Sequence, residues 1–89
     1  MNKITLIPTL DACVETQAKQ LYQRTLSELL KNPDDTLLQR KLETVKLFLK
    51  TADFPGLRKQ SEKHLIEGKR VVFTVWEENG KARWEMTVS

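Results

Sequence analysis

The sequence has very little of the residue types that carry most catalytic and metal chemistry. Its 89 residues include one cysteine and one histidine. A single cysteine excludes an internal disulfide and suits a reducing, cytoplasmic setting. Cys13 and His64 have no partners at ligand spacing, and a zinc site needs about four ligands. We therefore expect no metal site, no cofactor and no enzyme activity.

Glycine, proline and long apolar runs are also scarce. The three glycines stand at turn positions, so no glycine-rich loop is available to cradle a phosphate. The apolar run at 4–7 is interrupted by Pro8 and is too short for a signal-peptide core. No stretch approaches the roughly 18 apolar residues that span a bilayer, so we expect no membrane partner. With 39% hydrophobic and 30% charged residues, residues 1–89 are expected to form a single globular domain.

Residues 70–88 predict a β-hairpin. Two runs rich in β-branched and aromatic residues flank Asn79 and Gly80, a pair that suits the positive φ values of a type I′ turn. A two-residue loop pairs Val75 with Trp84, and a slip by one residue would put charged side chains on the apolar face. The residues expected on that face are Val71, Phe73, Val75, Trp84, Met86 and Val88.

Two long helices are expected before the hairpin. The first is predicted over 10–31, with Thr9 as its N-cap. The second is predicted over 33–52, with Asn32 as its N-cap and Pro33 in the first turn. Apolar residues recur in both segments at helical spacing. The tight connection predicts antiparallel neighbours, which form an αα-hairpin.

A shorter third helix is expected over 57–67, after a break at 53–56 and before a glycine, Gly68, in the C′ position. Residues 4–7 are either a short strand added to the edge of the hairpin or an extended arm. The predicted fold class is therefore α+β. It consists of a long antiparallel αα-hairpin, a short third helix and a C-terminal two-stranded β-hairpin, with or without a short N-terminal strand.

The two long helices carry more apolar surface than one packing partner needs. Leu47 falls on the side of its helix opposite the main stripe. Isolated exposed leucines are normal, but a chain of this size builds a small core, and self-association is a common remedy. Our main hypothesis is a small non-enzymatic interaction or regulatory module that forms a homodimer through its helices or binds another protein. The residues expected at the self-association contact are Leu26, Leu30, Leu37, Leu47 and Phe48.

A basic segment at 58–70 supports an alternative hypothesis. Its five basic and two acidic residues account for the chain's net charge of +3. The order of three helices and a hairpin is typical of winged-helix proteins, in which the third helix enters the major groove and the hairpin is the wing. Against this, the first two helices are long for such a domain. The expected nucleic-acid contacts are Arg58, Lys59, Lys63, Lys69 and Arg70.

The polar face of the predicted hairpin places Trp76 directly opposite Arg83. A cation–π contact between them would stabilise the hairpin. Tryptophan and arginine are also enriched in interface hot spots, so the pair is a candidate contact with a partner protein.

Overall fold

A computed structural model describes residues 3–89, and the first two residues of the expected domain lie outside this range. The elements in chain order are β1 (Ile4–Leu6), α1 (Val14–Lys31), α2 (Thr36–Thr51), α3 (Phe54–Ile66), β2 (Val71–Glu78) and β3 (Lys81–Val88). The strands form one antiparallel sheet in the order β1-β2-β3, and the helices pack on one of its faces. The predicted α+β fold is confirmed.

The hairpin has the register that the sequence predicts. Val75 lies opposite Trp84, and the pairing continues without a break from the turn to the chain end. Asn79 and Gly80 have φ values of 54° and 77°, as a type I′ turn requires. The Glu77 carboxylate accepts a hydrogen bond from the Gly80 N–H at 3.0 Å. Local turn chemistry and the apolar pattern therefore select the same pairing.

The N-terminal segment is a strand, which decides between the two alternatives left open by the sequence. β1 pairs antiparallel with β2, with Ile4 opposite Val75 and Leu6 opposite Phe73. The Ile4 and Leu6 side chains are 5% and 4% exposed, and burying each contributes roughly 1.5–3 kcal/mol. β2 is consequently the central strand, and β1 and β3 form the two edges.

The core lies between the helices and the inner face of the sheet. Phe48 of α2 is at its centre and is 1% exposed. The rings of Phe54 and Trp84 meet the Phe48 ring edge-on, at centroid distances of 5.4 and 5.5 Å, an arrangement that aromatic rings favour. Phe73 is fully buried as predicted, whereas Trp84 and Met86 are half-buried at the margin of the core.

α1 begins four residues after the predicted start at residue 10. The Thr9 hydroxyl accepts a hydrogen bond from the Ala12 N–H at 3.0 Å, and the Thr9 N–H donates to the Ala12 carbonyl at 2.8 Å. These bonds close a turn before the helix, because a threonine side chain can compete for backbone groups. Leu10, which the sequence placed in the apolar stripe, is 60% exposed.

α2 begins three residues after its predicted start, because Asp35 rather than Asn32 is its N-cap. The Asp35 carboxylate accepts hydrogen bonds from the Leu37 and Leu38 N–H groups at 3.0 and 3.1 Å. Asn32 instead closes the end of α1, where its backbone N–H donates to the carbonyl of Glu28. Both residues are good caps, and the sequence alone did not distinguish their positions.

α3 begins at Phe54, three residues before its predicted start. The Asp53 carboxylate accepts a hydrogen bond from the Gly56 N–H at 3.4 Å, and Pro55 stands in the first turn. The segment that ends α2 therefore also starts α3. The helix is followed, as predicted, by Gly68 in the C′ position with φ 80°. None of the helices within 3–89 combines the length and apolarity needed to cross a bilayer.

Candidate functional site

The connected ends of α1 and α2 carry an apolar surface that the core does not use. The core residues of the two helices extend only to Leu21 and Val45, with Thr25 and Thr44 buried beside them. Six leucines nearer the connection lie outside the core cluster. We call them the distal leucine surface: Leu26, Leu29, Leu30, Leu37, Leu38 and Leu42.

Three leucines of this surface are strongly accessible to solvent. Leu30 is 77% exposed, Leu37 is 63% exposed and Leu26 is 37% exposed. The other three are half-buried. Exposed leucines scattered singly need no explanation, but a cluster at one end of a helical hairpin is typical of a contact surface.

Another face of α1 has a different character. A shallow cleft there is lined only by polar and charged side chains: Gln20, Gln23, Arg24, Ser27, Glu28 and Lys31. The exposed leucines of α1 therefore lie apart from a polar face, as expected for an amphipathic helix.

The residues predicted at the self-association contact divide into two groups. Leu26, Leu30 and Leu37 belong to the distal leucine surface and are accessible. Leu47 is half-buried and packs against the core. Phe48 lies inside the core, so its assignment to a contact between copies is wrong. The sheet lies beneath α2 in a position that buries Phe48, and helical periodicity alone does not reveal that position.

Trp76 has a different cationic neighbour from the one predicted. Arg83 does lie opposite Trp76 in the register, but the cation over the ring is the Lys3 ammonium, 5.1 Å from the ring centroid. The Trp76 indole N–H donates to the Glu78 carboxylate at 3.3 Å. The addition of β1 beside β2 brings Lys3 into this position, and the sequence left that strand undecided. Arg83 is exposed on the outer face of the sheet.

The basic segment is partly neutralised by its own acids. The Arg58 Nε lies 2.8 Å from the Glu62 carboxylate, and the Lys69 ammonium lies 3.0 Å from the Glu67 carboxylate. The hydrogen bond that Arg58 donates to Glu62 raises the pKa of Arg58, and the hydrogen bond that Lys69 donates to Glu67 lowers the pKa of Glu67. All four groups face solvent, so the pairs contribute little to stability.

The remaining basic residues are exposed. Lys59 and Lys63 lie one helical turn apart on α3, and Arg70 precedes β2. Ion pairs within the described chain involve none of these three side chains. The segment therefore presents a small basic patch rather than a continuous surface of five cations.

A cleft that the sequence did not predict lies between the starts of α1 and α3. It has a volume of about 570 Å³, and Cys13, Phe54 and Arg58 are among its lining residues. The cleft arises because α1 packs against α3, and no motif in the sequence predicts it.

Cys13 is the chemically distinctive group of this cleft. Its thiol lies 3.4 Å from the Thr16 hydroxyl, and this hydrogen bond lowers the pKa of Cys13, with a smaller contribution from the Arg58 charge. The described hydrogen bonds pair the thiol with no general base. His64, the other candidate, has a buried Nδ1 without a hydrogen-bond partner among residues 3–89. Across the same range, no three His, Cys, Asp or Glu side chains are grouped to hold a metal ion.

The chain belongs to a protein family whose sequence profile matches residues 3–85. It is similar to a protein of Archaeoglobus fulgidus that is described only as uncharacterized. The two are 43% identical over 51 residues, which cover 54% of this chain and 60% of the relative's length. The match thus spans less than two thirds of that relative. No solved structure matches the chain. These similarities identify a family without assigning an activity, so the surfaces described above are the basis for inferring function.

Proposed function

We propose that this protein is a small non-enzymatic interaction module that self-associates through the distal leucine surface. The observation that carries the proposal is the exposure of Leu30 and Leu37, at 77% and 63%, at the end of the helical hairpin. Two copies related by a two-fold axis would each present the same surface to the other. Their four helices would pack as a bundle, an arrangement in which leucine-rich flanks are buried.

The exposed area supports a weak, reversible contact. Leu26, Leu30 and Leu37 together expose the equivalent of nearly two whole leucine side chains per copy. Burying them in both copies contributes roughly 5–10 kcal/mol, and the less exposed leucines add to this. Association costs about 4–15 kcal/mol in lost translational and rotational freedom. The two terms nearly balance, so we expect a weak contact with a Kd of about 10 µM to 1 mM.

A matched pair of double variants tests this proposal. Leu30→Gln with Leu37→Gln removes two apolar side chains from the surface and keeps good helix formers. Leu10→Gln with Ile66→Gln is the control, because these residues are 60% and 73% exposed but lie outside the surface. Molecular mass is measured by sedimentation equilibrium over a range of concentrations. We expect the first variant to weaken self-association at least about 100-fold and the control to behave as wild type. Equal masses for the two variants would refute the proposal.

Nucleic-acid binding is a second candidate, and the exposed Lys59, Lys63 and Arg70 favour it. A binder would lose affinity steeply as salt increases, because each neutralised phosphate releases counterions. The test is a binding assay with DNA and RNA at low and moderate salt, using wild type and Lys59→Glu with Lys63→Glu. We expect no binding at low salt. Salt-sensitive binding that the double variant loses would favour this candidate over the first.

A further inference from the structure

The β3 edge of the sheet is open to another strand. In the part of the chain that the structure describes, no strand lies beyond β3. Arg70 and Ser89 exchange two backbone hydrogen bonds, at 2.8 and 2.9 Å. Bonded and non-bonded pairs alternate along an antiparallel ladder, so the odd-numbered residues of β3 bond to β2. The residues whose backbone N–H and C=O groups point outward are Ala82, Trp84, Met86 and Val88.

Nothing in the shape of β3 prevents pairing at this edge. The strand is eight residues long and contains no proline, and its register with β2 is free of bulges. Proline, bulges and very short strands are the usual structural means of blocking an edge. Charged side chains can also block an edge, and β3 carries Lys81, Arg83 and Glu85 on the outer face of the sheet.

We propose that β3 pairs antiparallel with β3 of a second copy, about a two-fold axis at Trp84, and that the two sheets become one continuous six-stranded sheet. Trp84 then lies opposite the second copy's Trp84, and Ala82 lies opposite the second copy's Met86. These residues have outward-pointing backbone groups, so each pair exchanges two hydrogen bonds. The three central pairs together form about six.

The charges of β3 select this register among the symmetric ones. With the axis at Trp84, Arg83 lies opposite the second copy's Glu85, and the symmetry generates this pair twice. With the axis at Glu85, the Glu85 carboxylates of the two copies face each other. With the axis at Met86, Glu85 faces Thr87 and Arg83 faces no acid. With the axis at Arg83, Lys81 faces Glu85, but Arg83 faces the Arg83 of the second copy. Only the register with the axis at Trp84 pairs opposite charges without placing like charges opposite each other, and its charged residues form non-hydrogen-bonded pairs, whose side chains approach most closely.

Neither Arg83 nor Glu85 has an oppositely charged partner among residues 3–89. Across the hairpin, Arg83 lies opposite Trp76 and Glu85 lies opposite Thr74. The ion pairs of the described chain involve other residues, and both side chains are exposed. A second copy supplies the complement that β2 does not.

The inner face of the sheet accommodates the pairing. Trp84, Met86 and Val88 are half-buried there, so the core leaves an apolar margin along this edge. α2 packs over both β2 and β3. With neighbouring strands about 4.8 Å apart, the two α2 helices lie roughly 10 Å from each other, close to the usual packing distance of helices. The second copy therefore covers the margin without displacing α2.

This contact is separate from the distal leucine surface and does not depend on it. The test therefore uses Leu30→Gln with Leu37→Gln as the parent, in which only the sheet contact remains. Arg83→Glu, Glu85→Arg and the combined Arg83→Glu with Glu85→Arg are introduced into that parent. Lys46→Glu, an exposed residue of α2, is the control because it changes net charge as much as Arg83→Glu does.

Sedimentation equilibrium measures the dimer Kd of each variant. Each single reversal places like charges opposite each other twice, and we expect it to weaken dimerisation at least about 10-fold. The combined variant restores both pairs with their signs exchanged, so its Kd should return to within about threefold of the parent value. Lys46→Glu should have no effect. A combined variant as weak as the single ones, single variants equal to Lys46→Glu, or a parent that stays monomeric at millimolar concentration would each overturn the proposal.

Amide hydrogen exchange of the parent supplies a readout that does not depend on the folding of any charge-reversal variant. The Trp84 and Met86 N–H groups bond to nothing in β2, so they exchange rapidly in the monomer. We expect their exchange to slow as the parent concentration rises, while the Glu85 N–H, bonded within the hairpin, is protected throughout. Rapid exchange of Trp84 and Met86 at concentrations where the parent is dimeric would overturn the proposal.

Discussion

Phe48→Ala should remove most of the stability of the fold. Phe48 is 1% exposed, and two aromatic rings meet it edge-on. Replacing a buried phenylalanine by alanine costs about 3–5 kcal/mol, and each aromatic pair adds about 0.5–1.5 kcal/mol. A domain of 89 residues has a total stability of roughly 4–13 kcal/mol. We expect a loss of at least about 4 kcal/mol, which leaves the variant partly unfolded at room temperature.

Urea unfolding followed by tryptophan fluorescence measures this loss, because Trp84 lies against Phe48. Phe48→Leu is the matched control: it fills most of the space and should cost about 1–2 kcal/mol. The experiment separates a core residue from a contact residue. A Phe48→Ala variant that keeps wild-type stability but loses self-association would show that Phe48 belongs to an interface after all.

Three further perturbations test local features. Gly80→Val should cost about 1–3 kcal/mol in urea unfolding, because a β-branched residue resists the φ of 77° at this turn position. Asp35→Ala should cost about 0.5–2 kcal/mol, while Asp35→Asn keeps the cap and should cost less. The lowered pKa of Cys13 should let iodoacetamide react at lower pH than with a free thiol, and Thr16→Val should move the profile back up. The same shift makes the thiolate's contribution to stability complete above the unfolded pKa and lost as pH falls through the folded value.

The hairpin could be predicted from the sequence because its determinants are local. Asn79 and Gly80 select one turn type, and the alternation of apolar residues accepts one register. Gly68 ended α3 for the same kind of reason, since few other residues adopt its φ of 80°. The helix starts were less accurate. Thr9, Asn32 and Asp35 are all competent caps, and which of them starts a helix depends on the packing of the helices that follow.

Features that depend on tertiary packing could not be predicted from the sequence pattern. Helical periodicity correctly indicated a surplus of apolar residues on α1 and α2, and Leu30 and Leu37 carry it. It could not show that Phe48 faces the sheet, since that depends on where α2 crosses β2 and β3. Nor could it place Lys3 over Trp76, which requires β1 to pair with β2. The cleft beside Cys13 likewise exists only because α1 and α3 pack together.

The two proposed two-fold contacts would together have a consequence for assembly. If their axes are perpendicular and intersect, four copies close into a tetramer. Axes that intersect at about 60° close six copies, and axes that do not intersect build an open chain. Disabling either contact should then leave dimers, and disabling both should leave monomers. Under these two proposals, the distal leucine variant and the β3 charge reversals would report on separate steps of one assembly.

The mass of the unmodified chain in solution is the most direct test of self-association. Light scattering over about 10 µM to 1 mM spans the expected Kd, at moderate salt so that charge repulsion between copies is screened. The monomer has a mass of 10.4 kDa. We predict an average mass that rises with concentration toward at least twice this value, and that falls in the variant with Leu30→Gln and Leu37→Gln. A mass that stays at 10.4 kDa over the whole range would contradict self-association through either surface.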